Sequence, residues 1–246
     1  MVLDAIPEFF LVSVIFFAAG IVKGVLGMGL PTFAMGLLGL LMPVPQAAGL
    51  LTWPSLVTNV WQAAVGGAWR VLFARLWLLQ VGIVLGVVVA AGLPLHGDDV
   101  GRRLLGGCLL AYGISGFAGW RPRAPAAHQQ SIAAPLVGAV TGVITGLTGV
   151  FVLPAVPYLQ SLQLDRRELS QALGLSFTTS TLALAGLLAA RGQLGWGASV
   201  QSALVLVPAL VGMAVGQKLR EGMSEAGFRR CFFGGLVVLG AWLVKG

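Results

Sequence analysis

Charged residues are scarce in this chain. Asp, Glu, Lys and Arg make up only 9% of its 246 residues, whereas hydrophobic residues make up 57%. A soluble domain carries about 25% charged residues, so the composition excludes an ordinary water-soluble protein. Apolar runs of roughly 20 residues, the length that crosses the hydrocarbon core of a bilayer, recur along the chain. The sequence therefore predicts an all-α integral membrane protein whose surface contacts lipid.

Groups that define several other classes of protein are also missing. All 8 acidic residues lie at the ends of apolar segments or in loops, so no carboxylate pair can act as acid and base within the membrane. No His, Cys or Asp cluster resembles a metal site. The formal charge of +7 is spread over single or paired basic residues, without the basic stripe of a nucleic-acid-binding surface. We therefore expect no enzyme, no nucleic-acid partner, no cofactor and no metal.

What the chain does contain is a repeated glycine motif. The segment Gly20–Pro31 is GIVKGVLGMGLP, and the segment Gly138–Gly149, about 118 residues later, is GAVTGVITGLTG. Glycine-interrupted apolar segments at matching positions of two halves indicate the binding site of a transporter. Further matches extend the repeat: a shift of about 125 residues lays Ser55 on Ser180, and a shift of about 126 lays Gly86 on Gly212. We therefore predict a first membrane repeat over residues 1–120, a linker over 121–131 and a second repeat over 132–246.

Two topologies fit these segments, because each half contains five apolar pieces and the glycine motif separates the first two. If those two pieces form one interrupted span, the halves are parallel. If they form a hairpin that enters and returns, the repeats are inverted, with three further transmembrane helices each. Lys and Arg accumulate in cytoplasmic loops, and without Lys23 they divide 10:4 in the inverted arrangement but 8:6 in the parallel one. The sequence favours inverted repeats, a cytoplasmic linker and periplasmic termini.

Each glycine break offers backbone groups to a ligand. A broken membrane helix leaves N–H groups that protein, water or ligand must satisfy, and N–H groups at a helix N-terminus favour negative charge. We expect both breaks to face one polar cavity and to bind a small anion there. The candidate residues at the breaks are Gly27 and Gly29 in the first repeat and Thr145, Gly146, Thr148 and Gly149 in the second.

Lys23 is the one basic residue well inside an apolar run. A charged side chain at the bilayer centre costs roughly 3 kcal/mol on insertion scales, so such a residue commonly serves a function. Lys is also long enough to place its ammonium group at the membrane surface. The sequence leaves two roles open for Lys23: it binds the anion, or it reaches the surface or caps backbone carbonyls.

A polar face lies on the third piece of each half. In the first half, polar residues at positions 55, 58, 59 and 62 share one side of a helix. Hydroxyl groups in membrane bundles commonly join helices by hydrogen bonds, so any single one is more often structural than ligating. The matching positions of the two faces favour a binding site. The candidate ligands on these faces are Ser55 and Asn59 in the first half and Ser176, Thr179 and Ser180 in the second.

Four pairs of glycines, two of them within the repeated motif, are spaced four residues apart. This small-xxx-small spacing is typical of membrane helices that pack closely, and we expect that structural role for all four pairs. They are Gly20 with Gly24, Gly82 with Gly86, Gly138 with Gly142, and Gly212 with Gly216.

These motifs resemble those of the TauE/SafE family of sulfite exporter-like membrane proteins. The resemblance covers essentially the whole chain and implies transport of sulfur-containing or other small organic anions across the bacterial cytoplasmic membrane. The chain departs from the family's glycine run at Leu30 and Pro31 and at Leu147 and Thr148. The residues that carry the resemblance are Gly20, Gly24, Gly27 and Gly29, then Gly138, Gly142 and Thr145–Gly149, with Pro154 and the helix exits Gly66–Trp69 and Arg191–Trp196.

The residues predict a secondary transporter of a small anion bound between two inverted repeats, and the resemblance implies that the anion is sulfite or an organosulfonate. The expected location is the bacterial inner membrane, with several crossings. A small-anion channel and a carboxylate transporter are the alternatives in function, and a non-transporting scaffold is disfavoured because the loops are short. The expected partners are the anion and the lipid bilayer. The particular anion, the direction, a coupling ion and a homo-oligomer are left open.

Overall fold

The computed structural model describes residues 2–93, 97–120 and 122–245, and the chain forms ten α-helices and no strand within them. This result confirms the predicted all-α class. Arg121, the first residue of the predicted linker, lies outside the described residues. The helices are α1 (Val2–Leu26), α2 (Leu30–Leu38), α3 (Val44–Ala64), α4 (Trp69–Gly92), α5 (Asp98–Phe117), α6 (Ala127–Thr148), α7 (Ala155–Ser161), α8 (Arg166–Ala190), α9 (Trp196–Gly222) and α10 (Glu225–Lys245).

Six of the described helices are long and apolar enough to cross a membrane: α1, α4, α6, α8, α9 and α10. Large apolar side chains on their outer faces are exposed, among them Phe10 at 69%, Val88 at 63% and Trp242 at 65%. Exposed apolar area on this scale is unfavourable in water and is suited to lipid. Length, composition and surface therefore agree that the chain is a multi-pass membrane protein.

The helices α2 and α7 are short and follow the glycine breaks. The first break places Gly27 and Gly29 at φ +72° and +98°, a left-handed conformation that glycine adopts without a steric penalty. Helix α2 begins directly after it, with Pro31 in its first turn, where the missing N–H of proline costs nothing. The α1–α2 break therefore lies where the glycine motif predicted it.

The second break differs from the prediction. Both breaks were expected to present the N–H groups of a helix N-terminus, but α7 begins only at Ala155, and residues 149–154 are not helical. Gly149 is left-handed, with φ +70°, and ends α6. Pro154 then disfavours the helical conformation for the preceding residue. The expectation of helix N-terminal amides at Gly149 is wrong for this repeat.

Every long helix of the first half packs against a long helix of the second. Helix α1 packs along α9, α4 along α6, α5 along α10 and α3 along α8, while α3 also contacts α9 and α8 also contacts α4. The two halves are therefore interlocked around one core. Its fully buried side chains include Phe16, Phe151 and Phe177.

The glycine pairs lie at the closest of these contacts. A Cβ atom at Gly20 would lie 2.2 Å from the carbonyl oxygen of Ala209 on α9, and one at Gly86 would lie 2.1 Å from that of Ala139 on α6. Real Cβ atoms do not approach backbone so closely, so the helices pack in this way only because these residues lack side chains. The same close contact with backbone holds for the other members of the four pairs, which confirms the predicted packing role.

Candidate functional site

Lys23 lies in the interior of the bundle instead of reaching the membrane surface. Its side chain is only 4% exposed. The Nζ group donates a hydrogen bond of 3.0 Å to Thr58 Oγ1 and a second hydrogen bond to Asn59 Oδ1, both on α3. Both acceptors are neutral oxygens, so no carboxylate among its described partners balances the charge of the ammonium group.

A hydrogen-bond network extends from Lys23 to the second half of the chain. Asn59 Nδ2 lies 3.5 Å from Thr181 Oγ1 on α8, at the limit of a hydrogen bond. Thr58 and Thr181 donate their own hydroxyl hydrogens to carbonyl oxygens one helical turn earlier, at 2.6 and 2.7 Å. The four side chains, which we call the Lys23 network, thus connect α1, α3 and α8 in the core.

Pro54 helps to shape this part of α3. Because proline has no N–H, the carbonyl of Leu50 loses its partner within the helix. Ser202 of α9 replaces it by donating to Leu50 O at 2.8 Å. Sequence reasoning did not select Ser202 or Thr181 as site residues, although a proline inside an apolar helix is a signal that a donor is needed nearby.

Two predicted serines are buried close to the network. Ser55 lies one helical turn before Asn59, and Ser180 directly precedes Thr181. Ser55 is 1% exposed and Ser180 is 0% exposed, and neither hydroxyl oxygen has a hydrogen-bond partner among the described residues. A buried hydroxyl without a partner is uncommon and costs stability, so these two groups are the strongest candidates beside Lys23 for contact with a polar ligand.

The remaining predicted hydroxyls bond within the protein. Ser176 accepts a hydrogen bond of 3.3 Å from Gln80, and Thr179 donates to its own helix at 3.1 Å. At the second break, Thr145 and Thr148 each donate to a carbonyl one turn earlier at 2.7 Å, and the N–H of Val150 donates to Thr148 Oγ1 at 3.2 Å. The structure therefore gives these four residues partners of their own, and the hydrogen bonds described for Lys23 include none of them.

The two glycine breaks line different cavities. Gly27 contributes to a large cavity of about 890 Å³, whereas Gly146 and Gly149 contribute to a smaller one of about 240 Å³. The large cavity lies at the start of α8, near Arg166, and the small cavity lies at its end, near Arg191. The arrangement differs from the single shared cavity expected from sequence, because α1 and α6 end at opposite ends of the bundle.

The Lys23 network lies between the two cavities. On α8, the large cavity reaches Leu173 and the small cavity begins at Leu184. These residues are 11 positions apart, which is about 16 Å along a helix, and Ser180 and Thr181 fall between them. The backbone N–H of Gly27 donates to the carbonyl of Lys23, so Lys23 is one turn deeper than the residue that lines the large cavity.

The wall of the large cavity is basic. It includes four arginines, from α8, α9 and α10, and one carboxylate, Glu225. A cleft lined by one sign of charge attracts ligands of the opposite sign. The path from this cavity towards Lys23 therefore favours anions.

A multi-pass helical bundle with a buried polar site between two cavities is typical of membrane transport proteins. The family model described as "Sulfite exporter TauE/SafE" matches residues 12–243, and the chain belongs to this family. This match confirms the resemblance found in the glycine motifs. The family consists of transporters and not of enzymes.

One relative shows how far the similarity extends. The chain is 28% identical over 229 residues to a protein of Cupriavidus necator described as a probable sulfite/organosulfonate exporter TauE. The aligned region covers 89% of this chain and 87% of that protein. No solved structure matches the chain.

Proposed function

We propose that this protein is a secondary transporter of a small anion and that the anion binds beside Lys23. The observation that carries the proposal is the buried Nζ group, whose described partners are neutral oxygens. A buried ammonium is costly unless an opposite charge accompanies it. An anion supplies that charge, and the hydroxyls of Ser55 and Ser180 are free to donate to it.

The predicted backbone ligands fit this site unequally. Gly27 leaves room beside α1, since a Cβ there would meet nothing within 4 Å, whereas a Cβ at Gly29 would lie 3.0 Å from both Phe232 and Val22. Asn59 holds Lys23 from the α3 side. Gly146 and Gly149 line the small cavity, so their contact with the anion requires that cavity to enlarge during transport. Contact with Thr145, Thr148, Ser176 and Thr179 requires the second repeat to rearrange.

We further propose that residues 1–120 and 132–246 are inverted repeats. The packing supports a repeat: if the five helices of one half correspond in order to those of the other, the α1–α9 contact corresponds to α6–α4, and the α3–α9 contact corresponds to α8–α4. The inversion is supported by the ends of α1 and α6, which line cavities at opposite ends of the bundle. Closely packed glycines lie at the α1–α9 contact and also at the corresponding α6–α4 contact. Alternating access then occurs when one repeat rocks against the other and the two cavities exchange size.

The substrate we propose is a sulfur oxyanion or an organosulfonate, with sulfite as the simplest example. Membership of the family and the described substrate of the Cupriavidus necator relative support this class. Export is the favoured direction in our proposal, because a monoanion that leaves a cell gains about 2.3 kcal/mol per 100 mV of inside-negative potential. Uptake of the same anion would need a coupling ion.

Flux through proteoliposomes tests the proposed function. Radiolabelled sulfite and methanesulfonate should enter faster than into protein-free liposomes, with saturation and with acceleration by unlabelled substrate on the opposite side. Acetate in the same assay tests a carboxylate transporter, and currents far above carrier turnover would indicate a channel. The absence of flux for both sulfur anions would contradict the proposal.

The proposed location is the bacterial cytoplasmic membrane, with periplasmic termini and a cytoplasmic linker. In this orientation the large cavity opens to the cytoplasm. In a background without Cys108 and Cys231, a cysteine at position 245 should react with an impermeant thiol reagent in intact cells. A cysteine at position 126 should react only after the cells are permeabilised. Reaction at 126 in intact cells would contradict this orientation.

A further inference from the structure

Charged side chains from three helices meet at the mouth of the large cavity. Arg166 begins α8, Arg220 lies in the last turn of α9 and Glu225 begins α10. All three line the cavity, together with Arg167 and Arg229. Helix ends from different parts of the chain thus bring four positive charges and one negative charge to a single opening.

Two of these arginines converge on the same carboxylate oxygen. Arg166 Nη2 lies 2.9 Å and Arg220 Nη2 lies 3.9 Å from Glu225 Oε2. The planar guanidinium group binds oxyanions such as carboxylates and phosphates through paired N–H groups. Glu225 therefore places its carboxylate where an incoming oxyanion would find the same donors.

The ion pairs between Glu225 and the two arginines are weak enough for another anion to replace the Glu225 carboxylate. The side chain of Arg166 is 71% exposed and that of Glu225 is 52% exposed. Exposed ion pairs contribute about 0–1 kcal/mol, because water and salt screen them and the long side chains lose entropy. A small oxyanion that offers two or three oxygens to the same guanidinium groups can replace the carboxylate at little cost.

We propose that Arg166 and Arg220 form a second, outer binding site for small oxyanions of the sulfite and sulfonate class. The Glu225 carboxylate competes with the anion for these two guanidinium groups. The anion displaces this carboxylate and then moves on towards Lys23. This inference rests on the proposed function. It adds to it a recruitment step, and it identifies Glu225 as a residue that weakens apparent affinity for the substrate.

Glu225→Gln tests the inference, and Glu221→Gln is the matched control. Both variants remove one exposed negative charge near the end of α9, but Glu221 does not line the cavity. Methanesulfonate uptake is measured in inside-out and right-side-out membrane vesicles. We expect Glu225→Gln to lower the KM about 2- to 5-fold, in keeping with the small energy of an exposed pair. The maximal rate should stay nearly constant, and the effect should occur only from the membrane face on which residue 126 lies.

Two further measurements distinguish a specific anion-binding site at Arg166 and Arg220 from a general electrostatic effect of removing one negative charge. The KM difference between Glu225→Gln and wild type should shrink as ionic strength rises, because exposed charges are screened. The KM difference should also shrink in an Arg166→Gln background, because Glu225 and the anion then no longer share the Arg166 guanidinium group. Equal KM values for the Glu225→Gln and Glu221→Gln variants would overturn the outer site while leaving transport itself intact. If wild type transports no sulfur anion, the proposed function and this inference both fail.

Discussion

Replacing Lys23 with Met should reduce anion transport to the level of protein-free liposomes while the protein remains folded. The variant removes the only charge in the Lys23 network, and the hydroxyl donors alone cannot balance an anion in the core. Stability should change little, because two effects oppose each other. Removing a buried ammonium relieves its desolvation cost, whereas Asn59 Oδ1 loses its donor, which costs about 1–3 kcal/mol.

The matched control for this variant is Lys245→Met. It makes the same chemical change at an exposed position at the end of α10. Initial rates of sulfite and methanesulfonate flux and the melting temperature are measured for both variants. The control should behave like wild type in both measurements. A Lys23→Met protein that transports within a few-fold of wild type would mean that Lys23 is only a structural residue.

Replacing Gly86 with Ala should strongly destabilise the bundle. The new Cβ atom would lie 2.1 Å from Ala139 O and 2.9 Å from the Cα of Gly142. Both are backbone atoms, so α4 and α6 must separate instead of a side chain moving aside. Overpacking of this kind costs about 1–3 kcal/mol or more, which corresponds to a melting temperature lower by at least about 2 °C, or to loss of the folded protein.

Gly235→Ala on α10 is the control, because a Cβ there meets nothing within 4 Å. It should match wild type or exceed it slightly, since Ala favours a helix over Gly by about 1 kcal/mol. Thermal unfolding in detergent, followed by retention of a monodisperse peak on size exclusion, gives the comparison. Equal melting temperatures for the Gly86→Ala and Gly235→Ala variants would contradict the close packing of α4 on α6.

The helices and the first break could be predicted from local sequence. Apolar runs separated by Gly, Pro and charged residues gave segments close to the observed helices, because the membrane leaves few other ways to satisfy the backbone. The left-handed Gly27 and Gly29, followed by Pro31, specify the α1–α2 break on their own. The start of α7 at Ala155 could not be predicted from the glycine motif, because Pro154 disfavours the helical conformation for the residue before it.

The partners of the site residues could not be predicted from local sequence. The order of residues on α3 places Ser55, Thr58 and Asn59 on one face, but contact with Lys23 depends on how α1 is rotated against α3.

The alignment of the two repeats could not be fixed from local sequence either. A shift of 126 residues laid Gly86 on Gly212, but the packing pairs Gly212 with Gly82. Gly82 faces Pro135 O and Gly212 faces Phe17 O. Pro135 and Phe17 are equivalent positions of the two halves, because they are about 118 residues apart, as the two glycine motifs are. The difference is four residues, about one helical turn.

The central claim is that a small anion binds at Lys23, and the melting temperature of the purified protein tests it most directly. Wild type and the Lys245→Met variant are titrated with sulfite and methanesulfonate at constant ionic strength. We expect a rise that grows with the logarithm of the anion concentration above the Kd and reaches about 2.7 kcal/mol of added stability at 100 times the Kd. The Lys23→Met variant should show little or no rise. An equal rise in Lys23→Met, or no rise in wild type with either anion, would contradict the claim.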